Sequence, residues 1–508
     1  MTKRRCRRPA PVAVRLCPVP ATSSASDGDS PDSSARLTDV QRKAIAELMR
    51  VSPVADELGR LFARAGHELA LVGGSVRDAL LGRLGNDLDF ATSARPDEVL
   101  KIARKWADNL WDTGIAFGTV GLLKDGHRLE ITTYRFETYE PDSRKPEVVY
   151  GESLPEDLRR RDFTVNAMAV SVPDHEFSDP FGGVRDLLAK ALRTPGTPED
   201  SFNDDPLRMM RAARFSAQLG FDVDPSVAAA MAALADRILK ISAERVRDEL
   251  AKLICSPEPR RGLALLVSTG LADRVLPELP KLRLERDEHF RHKDVYEHTL
   301  TVLEQAMALE TAGPDLVLRL AALLHDVGKP ATRRKEPGGR VSFHHHEVVG
   351  AKLTKARLTA LKFPKDVVTD VSRLVELHLR FHGYGTEEWT DSAVRRYVRD
   401  AGPLLDRLHK LTRSDCTTRN KKRAAALWAA YDSLEERIEQ LRQQEEVDAI
   451  RPELNGDEIG SILGLSPGPE LGRAWRFLLE LRLEQGPIGK DAAAAALREW
   501  AAQHGVGG

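Results

Sequence analysis

The 508-residue chain has few cysteines and no long apolar segment. Its four cysteines are scattered and form neither a CxxC pair nor a disulfide framework, which is typical of a reducing cytoplasm and argues against a thiolate zinc site. No apolar run approaches the roughly 20 residues that a transmembrane helix needs, so we expect no membrane partner. The formal net charge of −1 excludes a uniformly basic surface but leaves room for local basic patches.

The first 36 residues differ in composition from the rest of the chain. A basic start (Met1 to Arg8) is followed by a stretch rich in Ser, Asp and Pro (Thr22 to Ser34), without the apolar region of a signal peptide. We therefore expect a disordered tail. Its basic start could touch RNA, although a solvated tail is the simpler interpretation.

Two aspartates, Asp87 and Asp89, are the most informative pair in the chain. Polar and apolar residues alternate from Asn86 to Ala91, which predicts a β-strand with both carboxylates on one face and Leu88 and Phe90 in a core. Neighbouring carboxylates repel each other, so their pairing makes sense when a divalent cation lies between them. Because Mg²⁺ prefers carboxylate oxygens, the two aspartates are candidate catalytic and Mg²⁺-binding residues.

A glycine turn precedes these aspartates. Gly73 and Gly74 follow an apolar strand (Leu69 to Val72) and lead into a predicted short helix (Ser75 to Leu81). A strand, a tight turn and a helix N-terminus together suit triphosphate oxygens, because backbone N–H groups point outward there. The alternative is an ordinary glycine turn near an acidic turn.

A β-hairpin is predicted next, and its second strand carries a further carboxylate. The strands, Phe117 to Lys124 and Arg128 to Arg135, flank a turn at Asp125-Gly126. Alternation along the second strand places Glu130 and Thr132 on one face. Glu130 could therefore be a third catalytic carboxylate, or it could simply face solvent.

Two further clusters combine basic and acidic residues. Arg161 and Asp162 could bind a phosphate and a ribose hydroxyl, and Asn166 offers both a donor and an acceptor. Asp205 and Arg208 lie three residues apart on a predicted helix, where they could bind the Watson–Crick edge of C or A and reject G and U. A basic run is usually a solvated face, and an aspartate before proline is also a good helix N-cap, so the alternatives stay open.

Five short motifs follow one another in a family-specific order. They are Gly73-Gly-Ser-Val-Arg-Asp78, Asp87-Leu-Asp89, Arg160-Arg-Asp162, Asp204-Asp-Pro-Leu-Arg208 and Glu244-Arg245. From Gly73 to about Leu250, this order resembles the class II CCA-adding tRNA nucleotidyltransferases and the related bacterial poly(A) polymerases. One departure is mild: the family's Glu-Asp-x-x-Arg is Asp-Asp-x-x-Arg here.

The resemblance implies both a fold and a reaction. The fold class would be α+β, with a head of the DNA polymerase beta type that has a small sheet, followed by a long all-α neck and body. Asp87 and Asp89 would bind Mg²⁺ in a two-metal transfer of C, C and A from CTP and ATP to the 3′ end of tRNA. Asp205 and Arg208 would select the base, and Arg245 would brace them. The other nucleotide-binding positions would be Gly73, Gly74, Ser75, Arg77, Arg161, Asp162, Asn166, Arg211 and Arg214.

A second group of possible metal ligands lies downstream. An adjacent His-Asp pair at the end of an apolar helix, followed by Val-Gly-Lys, resembles the HD superfamily of metal-dependent phosphohydrolases over roughly Asp294 to Asp415. A mixed nitrogen and oxygen site would hold a divalent transition metal such as Ni, Mn, Co or Fe. Such a module could instead only scaffold tRNA. The candidate ligands are His298, His325, Asp326 and Asp415, with His346 and His378 for a possible second metal.

The predicted organisation is a series of five regions: a tail (1–36), a nucleotidyltransferase head (37–190), a helical neck (191–260), an HD-type domain (261–430) and a C-terminal helical region (431–508). Helices are expected over Asp39 to Met49, Ser392 to His409, Arg423 to Glu446 and Pro469 to Gln485, and a mobile loop over Glu137 to Leu158. Two basic stretches, Lys281 to Arg286 and Arg419 to Arg423, could contact tRNA phosphates or form solvated helix surface.

Other functions remain to be distinguished. The poly(A) branch of the family tends to carry a basic Arg-Arg-Phe segment where this chain has Gly114 to Val120, so CCA addition is favoured. An enzyme that adds only CC or only A is harder to exclude. A phosphohydrolase dominated by the HD site and a non-catalytic RNA-binding protein are further alternatives. No protein partner can be inferred.

Overall fold

The computed structural model describes most of the chain. The described residues are 42–43, 46, 53–83, 85, 87–112, 114–115, 118–138, 147–151, 153–283, 294–337, 341–381, 384, 389–418, 420–444 and 450–506. The predicted tail lies outside them, as do most of the helix expected over Asp39 to Met49 and parts of both basic stretches. No helix among the described residues is long and apolar enough to span a lipid bilayer.

The head is built on one mixed sheet. The strands of the sheet are β1 (Leu69–Val72), β2 (Asp87–Thr92), β3 (Asn109–Trp111), β4 (Thr119–Lys124), β5 (His127–Thr133), β8 (Ala169–Ser171) and β9 (Phe177–Ser178). Two further strands, β6 (Arg135–Thr138) and β7 (Glu147–Tyr150), form a separate hairpin. The sheet order is β3-β4-β5-β2-β1-β8-β9. Only β2 and β5 pair in parallel, whereas the other neighbouring strands are antiparallel.

Helices pack on both faces of this sheet. The helices of the head are α1 (Pro53–Arg64), α2 (Gly74–Leu80), α3 (Pro96–Ala103), α4 (Leu154–Arg159) and α5 (Gly183–Leu188). Leu88 and Phe90 of β2 are 1% exposed and pack in one core with residues of α1 and α3. Successive strand side chains point to opposite faces, so Asp87 and Asp89 lie on the other face, as the alternation predicts.

The predicted hairpin is present, but the predicted mobile loop is wrong in its described parts. The turn at Asp125-Gly126 joins β4 to β5, and both residues have positive φ (48° and 78°), as a type I′ turn requires. Within Glu137 to Leu158, β6 and β7 pair antiparallel from Arg135–Tyr150 to Thr138–Glu147, and α4 follows. The polar, proline-rich composition predicts a loop. The pairing of β6 with β7 depends on contacts between two separate segments, and neither segment signals it on its own.

Helices dominate from the neck onward. The elements are β10 (Ala191–Leu192), α6 (Pro198–Asp204), α7 (Leu207–Leu219), β11 (Asp222–Val223), α8 (Pro225–Ala233), α9 (Ala243–Ile254), α10 (Pro259–Ser268), α11 (Ala272–Val275), α12 (Val295–Ala308), α13 (Leu316–Leu324), α14 (Lys329–Thr332), β12 (Arg334–Lys335), β13 (Val341–Ser342), α15 (His346–Ala360), α16 (Lys365–Leu377), α17 (Asp391–Ala401), α18 (Leu405–Ser414), α19 (Lys421–Gln444), α20 (Gly456–Leu463), α21 (Pro469–Gln485) and α22 (Lys490–His504). The apolar core is continuous from α7 through α19, whereas α20 to α22 enclose a core of their own.

Two of the predicted body helices agree well with the structure, and one is divided. The helix α21 has the predicted bounds, and α19 begins and ends two residues before them. The helix expected over Ser392 to His409 is instead α17 and α18, separated by a 3₁₀ turn at Gly402–Leu404. Gly402 has a φ of 52° and Pro403 lacks an N–H group, so the two residues end α17.

Candidate active site and metal centre

The polar face of β2 carries the two aspartates, and β5 adds a third carboxylate beside them. The strand register places Asp89 opposite Glu130. Both Asp87 and Asp89 are exposed on this face. The hydroxyl of Ser75 on α2 accepts a hydrogen bond from the N–H of Asp89 (3.1 Å) and donates one to the carbonyl of Asp87 (3.3 Å). Ser75 therefore fixes α2 to the aspartate strand.

The electrostatics of this face suit a divalent cation. Desolvation within the cleft, followed by the negative charges of Glu130 and Asp87, raises the pKa of Asp89. A hard cation coordinated by carboxylate oxygens would relieve that repulsion. Glu130 has a partner of its own, since Arg128 Nη2 lies 3.0 Å from its Oε1. Both interpretations of Glu130, carboxylate ligand and paired strand residue, are therefore compatible with its position.

One cavity brings together most of the residues that the sequence singles out. It has a volume of about 570 Å³, within the usual range for small-molecule sites, and lies between the polar face of the sheet and the helices α7 and α9. Ser75 and Asp87 are not part of its lining, although both adjoin Asp89. The predicted residues that line the cavity are Gly73, Gly74, Arg77, Asp89, Glu130, Arg161, Asp162, Asn166, Asp205, Arg208, Arg211, Arg214 and Arg245.

The glycine turn allows an arginine to approach the backbone. Gly73 has a φ of 70°, and a Cβ atom there would lie 2.8 Å from Nη1 of Arg161. Arg161 is held in turn by Asp157, whose Oδ2 accepts hydrogen bonds from Nε (3.3 Å) and Nη2 (3.0 Å). The backbone conformation (φ 70°, ψ −129°) therefore favours glycine at this position, and an added Cβ atom would displace the Arg161 guanidinium.

Asp162 is buried and accepts hydrogen bonds from residues of both the head and α7. Its Oδ1 accepts from the N–H of Phe163 (2.8 Å) and from Nδ2 of Asn166 (2.9 Å), and its Oδ2 accepts from Nε of Arg211 (2.7 Å). Burial alone would raise the pKa of Asp162, but Arg211 and Asn166 hold it at about 2. Asn166 Oδ1 also accepts from Arg77 Nη1 over 2.5 Å. Asp162 therefore connects the head to α7.

Three arginines surround the ring of Phe215, which is 4% exposed. The guanidinium carbons of Arg77, Arg211 and Arg214 lie 5.3, 5.3 and 4.0 Å from the ring centroid. Arg214 Nε also donates to the buried Glu249 of α9 over 2.6 Å. Cation–π contacts and ion pairs together join α2, α7 and α9 at the base of the cavity.

The candidate base-selecting pair lies at the junction of α6 and α7. Asp205 Oδ1 accepts from the N–H of Leu207 (3.0 Å), and its Oδ2 accepts from Nη2 of Arg245 (3.0 Å). The carboxylate therefore caps the helix and also contacts Arg245. Arg208 Nη1 donates to Oγ of Ser201 (2.9 Å). Both side chains remain part of the cavity lining.

The HD-type cluster lies apart from this cavity, between α12, α13, α16 and α18. His298 Nε2 is 3.0 Å from Oδ1 of Asp415 and 3.5 Å from Oδ2 of Asp326. His325 Nε2 is 3.2 Å from Oδ2 of the same Asp326. The ligand atoms of His298, His325 and Asp326 all lie within 4.8 Å of one another, close enough to hold one metal ion. Lys329 Nζ also contacts Asp326 Oδ2, over 2.6 Å.

A second group of ligand atoms shares Asp326 with the first. Asp326, His346 and His378 form another compact set, and His346 Nε2 lies 3.3 Å from Asp326 Oδ1. The Nε2 atom of His378 is buried without a hydrogen-bond partner among the described residues, and those of His325 and His346 are buried beside the oxygens of Asp326. Burial, assisted by His325, lowers the pKa of His378 to about 3, which keeps its lone pair available. This donor chemistry fits a transition-metal centre.

Comparisons with known proteins match the parts of the chain that contain the cavity and the HD-type cluster. Residues 69–193 match the poly A polymerase head domain, and residues 220–282 match the probable RNA and SrmB-binding site of polymerase A. Residues 295–420 match the HD domain. Over 441 residues the chain is 37% identical to the A-adding tRNA nucleotidyltransferase of Deinococcus radiodurans, covering 85% of this chain and 95% of that protein.

The chain belongs to the tRNA nucleotidyltransferase family. A second member, the CC-adding tRNA nucleotidyltransferase of Thermus thermophilus, is 35% identical over 439 residues, covering 84% of this chain and 93% of its own length. The CCA-adding enzyme of Levilactobacillus brevis is 45% identical over 209 residues, or 41% of this chain and 51% of that enzyme. The resemblance inferred from the motifs is therefore confirmed, and the chain is a nucleotidyltransferase.

Solved structures share the fold of this tRNA nucleotidyltransferase family member. The CCA-adding enzyme of Bacillus stearothermophilus in complex with CTP aligns with a TM-score of 0.63 at 24% identity, over 92% of this chain and 99% of that one. The Thermotoga maritima enzyme complexed with tRNA has a TM-score of 0.56 at 17% identity, over 90% and 98%. The predicted α+β class, with a small-sheet head and a mostly helical body, is confirmed.

Sequence reasoning missed several members of this nucleotidyltransferase site. Phe215 reads as an ordinary apolar helix position, and Asp157 falls in the segment predicted as a loop. Glu249 could have been found, since it lies four residues after Arg245 and therefore on the same helical face. At the HD-type cluster, the contact of Lys329 with Asp326 does not follow from the sequence, although Lys329 belongs to the Val-Gly-Lys segment.

Proposed function

We propose that this nucleotidyltransferase adds C, C and A to the 3′ end of tRNA from CTP and ATP, without a nucleic-acid template. The observation that carries the proposal is the single cavity that contains both Asp89 and the Asp205–Arg208 pair. A reacting α-phosphate and the base of one bound nucleotide could thus be contacted at the same time. The relatives are named as enzymes that add A, CC or CCA, and these additions are steps of this reaction or the whole of it.

The carboxylate face would be the catalytic centre. Asp87 and Asp89, with Glu130 as a possible third ligand, would hold two Mg²⁺ ions. Mg²⁺ bound there would lower the pKa of the tRNA 3′ hydroxyl and neutralise charge on the triphosphate and the departing pyrophosphate. The backbone of Gly73 and Gly74 and the guanidiniums of the cavity would position the phosphates.

The Asp205–Arg208 pair would select the incoming base. The Asp205 carboxylate would accept from the exocyclic amine of C or A, while Arg208 would donate to ring acceptors. G and U present a carbonyl where that amine lies, so they would leave the carboxylate unpaired, at a cost of roughly 1–3 kcal/mol. Arg245 would hold Asp205 in the selecting orientation.

The HD-type domain would be a separate phosphohydrolase module. His298, His325, Asp326 and Asp415 would bind one divalent transition metal, and His346 and His378 would bind a second through the shared Asp326. Metal bound there would supply an activated water for attack on a phosphate ester. The separation of this cluster from the cavity supports two independent activities.

One experiment tests the transfer reaction directly. The protein is incubated with tRNAs that lack the whole CCA end, lack only the final A or are complete, each with single labelled nucleotides. We expect C, C and one A to be added, after which addition stops. Continued addition of A would instead identify a poly(A) polymerase. Failure to extend one of the two shortened tRNAs would identify a CC-adding or an A-adding enzyme.

Paired variants separate the two centres. Asp87→Ala should abolish transfer, because it removes one of the two metal-binding carboxylates. The double variant His325→Ala, Asp326→Ala should transfer nucleotides at close to the original rate and lose any phosphohydrolase activity. Equal loss of transfer in both proteins would contradict the assignment of transfer to the head alone.

A further inference from the structure

A single cross-strand row leads to the carboxylate face. The registers pair Trp111 of β3 with Gly121 of β4, Gly121 with Glu130 of β5, and Glu130 with Asp89 of β2. Paired residues of neighbouring strands share a face of the sheet, so Trp111, Glu130 and Asp89 all point to the polar face. The second position in this row has no side chain.

The glycine in this row makes room for the indole of Trp111. A Cβ atom at position 121 would overlap the Trp111 ring, with Nε1 and Cε2 as its nearest atoms. The ring therefore lies over the backbone of β4, in the space that a side chain at position 121 would occupy. A close approach of this kind is a structural reason for a glycine in a strand interior.

Arg128 lies between this indole and the carboxylates. Its guanidinium carbon is 5.4 Å from the centroid of the Trp111 ring, and its Nη2 is 3.0 Å from Oε1 of Glu130. In the adjoining row of the sheet Arg128 is the register partner of Asp87. One guanidinium is thus placed beside the acidic face by an aromatic ring on one side and a carboxylate on the other.

Charge and geometry together give this arginine a role. The Arg128–Glu130 pair is 58% and 44% exposed, and an exposed ion pair by itself contributes little to stability. The guanidinium nevertheless contacts the Trp111 ring as well as Glu130, and a positive charge at this position reduces the negative potential that attracts a divalent ion. It also occupies an oxygen of Glu130 that a metal ion could otherwise use.

We propose that Arg128, held by Trp111, is a built-in counter-ion that weakens divalent-cation binding at Asp87, Asp89 and Glu130 in the nucleotide-free enzyme. The inference rests on the proposed metal site of the head. Its consequence is that the cation binds mainly together with the triphosphate, whose added negative charge outweighs that of Arg128. Arg128 is therefore a positioning residue that sets metal occupancy and does not touch the reacting atoms.

The test measures metal affinity directly in the full chain. Mn²⁺ binding is followed by electron paramagnetic resonance without nucleotide, and the titration of an Asp87→Asn, Asp89→Asn variant is subtracted to remove binding at the HD-type cluster. Arg128→Met, which removes the charge but keeps the length, should tighten the remaining binding roughly threefold to tenfold. Trp111→Leu should tighten it in the same direction by a smaller factor.

Matched variants identify the cause. Arg128→Lys keeps the charge and should bind Mn²⁺ like the original protein, and Trp111→Phe keeps a ring and should also do so. Arg104→Met removes an equal charge just after α3, on the helix that covers the opposite, apolar face of the sheet, and should leave the affinity unchanged. Thermal melting of each variant establishes that it is folded.

Each result has a separate meaning. Unchanged or weaker Mn²⁺ binding in Arg128→Met would overturn the counter-ion role. Tighter binding in Arg128→Met but not in Trp111→Leu would overturn the part assigned to Trp111. If the Asp87→Asn, Asp89→Asn substitution does not reduce Mn²⁺ binding, with or without CTP, the proposed metal site itself fails, and this inference fails with it.

Discussion

Arg245 Nη2 donates to Oδ2 of Asp205 over 3.0 Å, while the other oxygen of Asp205 accepts from the N–H of Leu207 over 3.0 Å. The carboxylate is therefore fixed from two sides, by its own helix and by α9. Two interpretations that compete in the sequence, helix cap and base selector, are compatible with one geometry. A side chain that is already oriented loses little conformational entropy when a base binds.

The first prediction concerns Arg245, whose removal should reduce the ratio of kcat/KM for CTP to kcat/KM for UTP. Arg245→Ala leaves Asp205 held from one side only, so the carboxylate can turn away from the base. We expect kcat/KM for CTP to fall roughly tenfold to a hundredfold relative to that for UTP, as loss of a hydrogen bond to a charged group implies. Single-nucleotide kinetics on tRNA lacking CCA measure this ratio. Glu244→Ala, an exposed neighbour on α9, is the control and should keep the original ratio.

The parts of the site that the sequence reveals are those with a local signal. Asp87 and Asp89 share a face because alternation within one strand determines it, and the turn at Asp125-Gly126 follows from its residue types. The parallel pairing of β2 with β5, which brings Glu130 opposite Asp89, depends on strand register and is not encoded in either segment alone.

Long-range contacts also account for what could not be predicted. The burial of Phe215 among three arginines depends on contacts between α2 of the head and α7 of the neck, more than 130 residues apart. The division between α17 and α18, in contrast, had a local signal in Gly402 and Pro403 that the apolar periodicity obscured.

The second prediction concerns metal stoichiometry at the HD-type cluster. Because Asp326 is shared between the two sets of ligand atoms, we expect His298→Ala to lose one transition-metal ion, His378→Ala to lose the other and Asp326→Asn to lose both. Elemental analysis after loading with Mn²⁺ or Co²⁺ in excess Mg²⁺ gives the count per chain. Metal at 100 times its Kd should stabilise the original protein by about 2.7 kcal/mol for each ion bound, and Asp326→Asn should show no such increase in Tm. Loss of only one ion in Asp326→Asn would contradict a shared ligand.

The third prediction follows from the depressed pKa of Asp162. Since Arg211 helps to hold the folded pKa near 2, below the ordinary 3.8, the pair stabilises the fold above pH 4, and this contribution is lost as the pH falls through about 2. In Arg211→Met, burial is less opposed and the pKa of Asp162 rises. The variant should therefore lose about 3–5 kcal/mol near neutral pH, and less at pH 4.5 than at pH 7.5 because protonation removes the unpaired charge. Tm measured across that range tests the sign, and the double variant with Asp162→Asn should show no such dependence.

The last prediction separates two roles of Gly73. Gly73→Ala introduces a Cβ atom at φ 70° and ψ −129°, outside the left-handed helical region, where a non-glycine residue costs roughly 1–3 kcal/mol, and places that atom 2.8 Å from Nη1 of Arg161. Gly82→Ala is the control for a positive φ without a steric clash, because its φ is 72° and no heavy atom lies within 4 Å of its added Cβ. Both variants should lose stability from backbone strain, Gly73→Ala at least as much as Gly82→Ala, but only Gly73→Ala displaces Arg161 from the cavity. We therefore expect a several-fold increase in KM for CTP and ATP in Gly73→Ala alone, measured alongside Tm. Equal KM values in the two variants would show that the turn needs glycine for its backbone conformation and that Arg161 does not contribute to nucleotide binding.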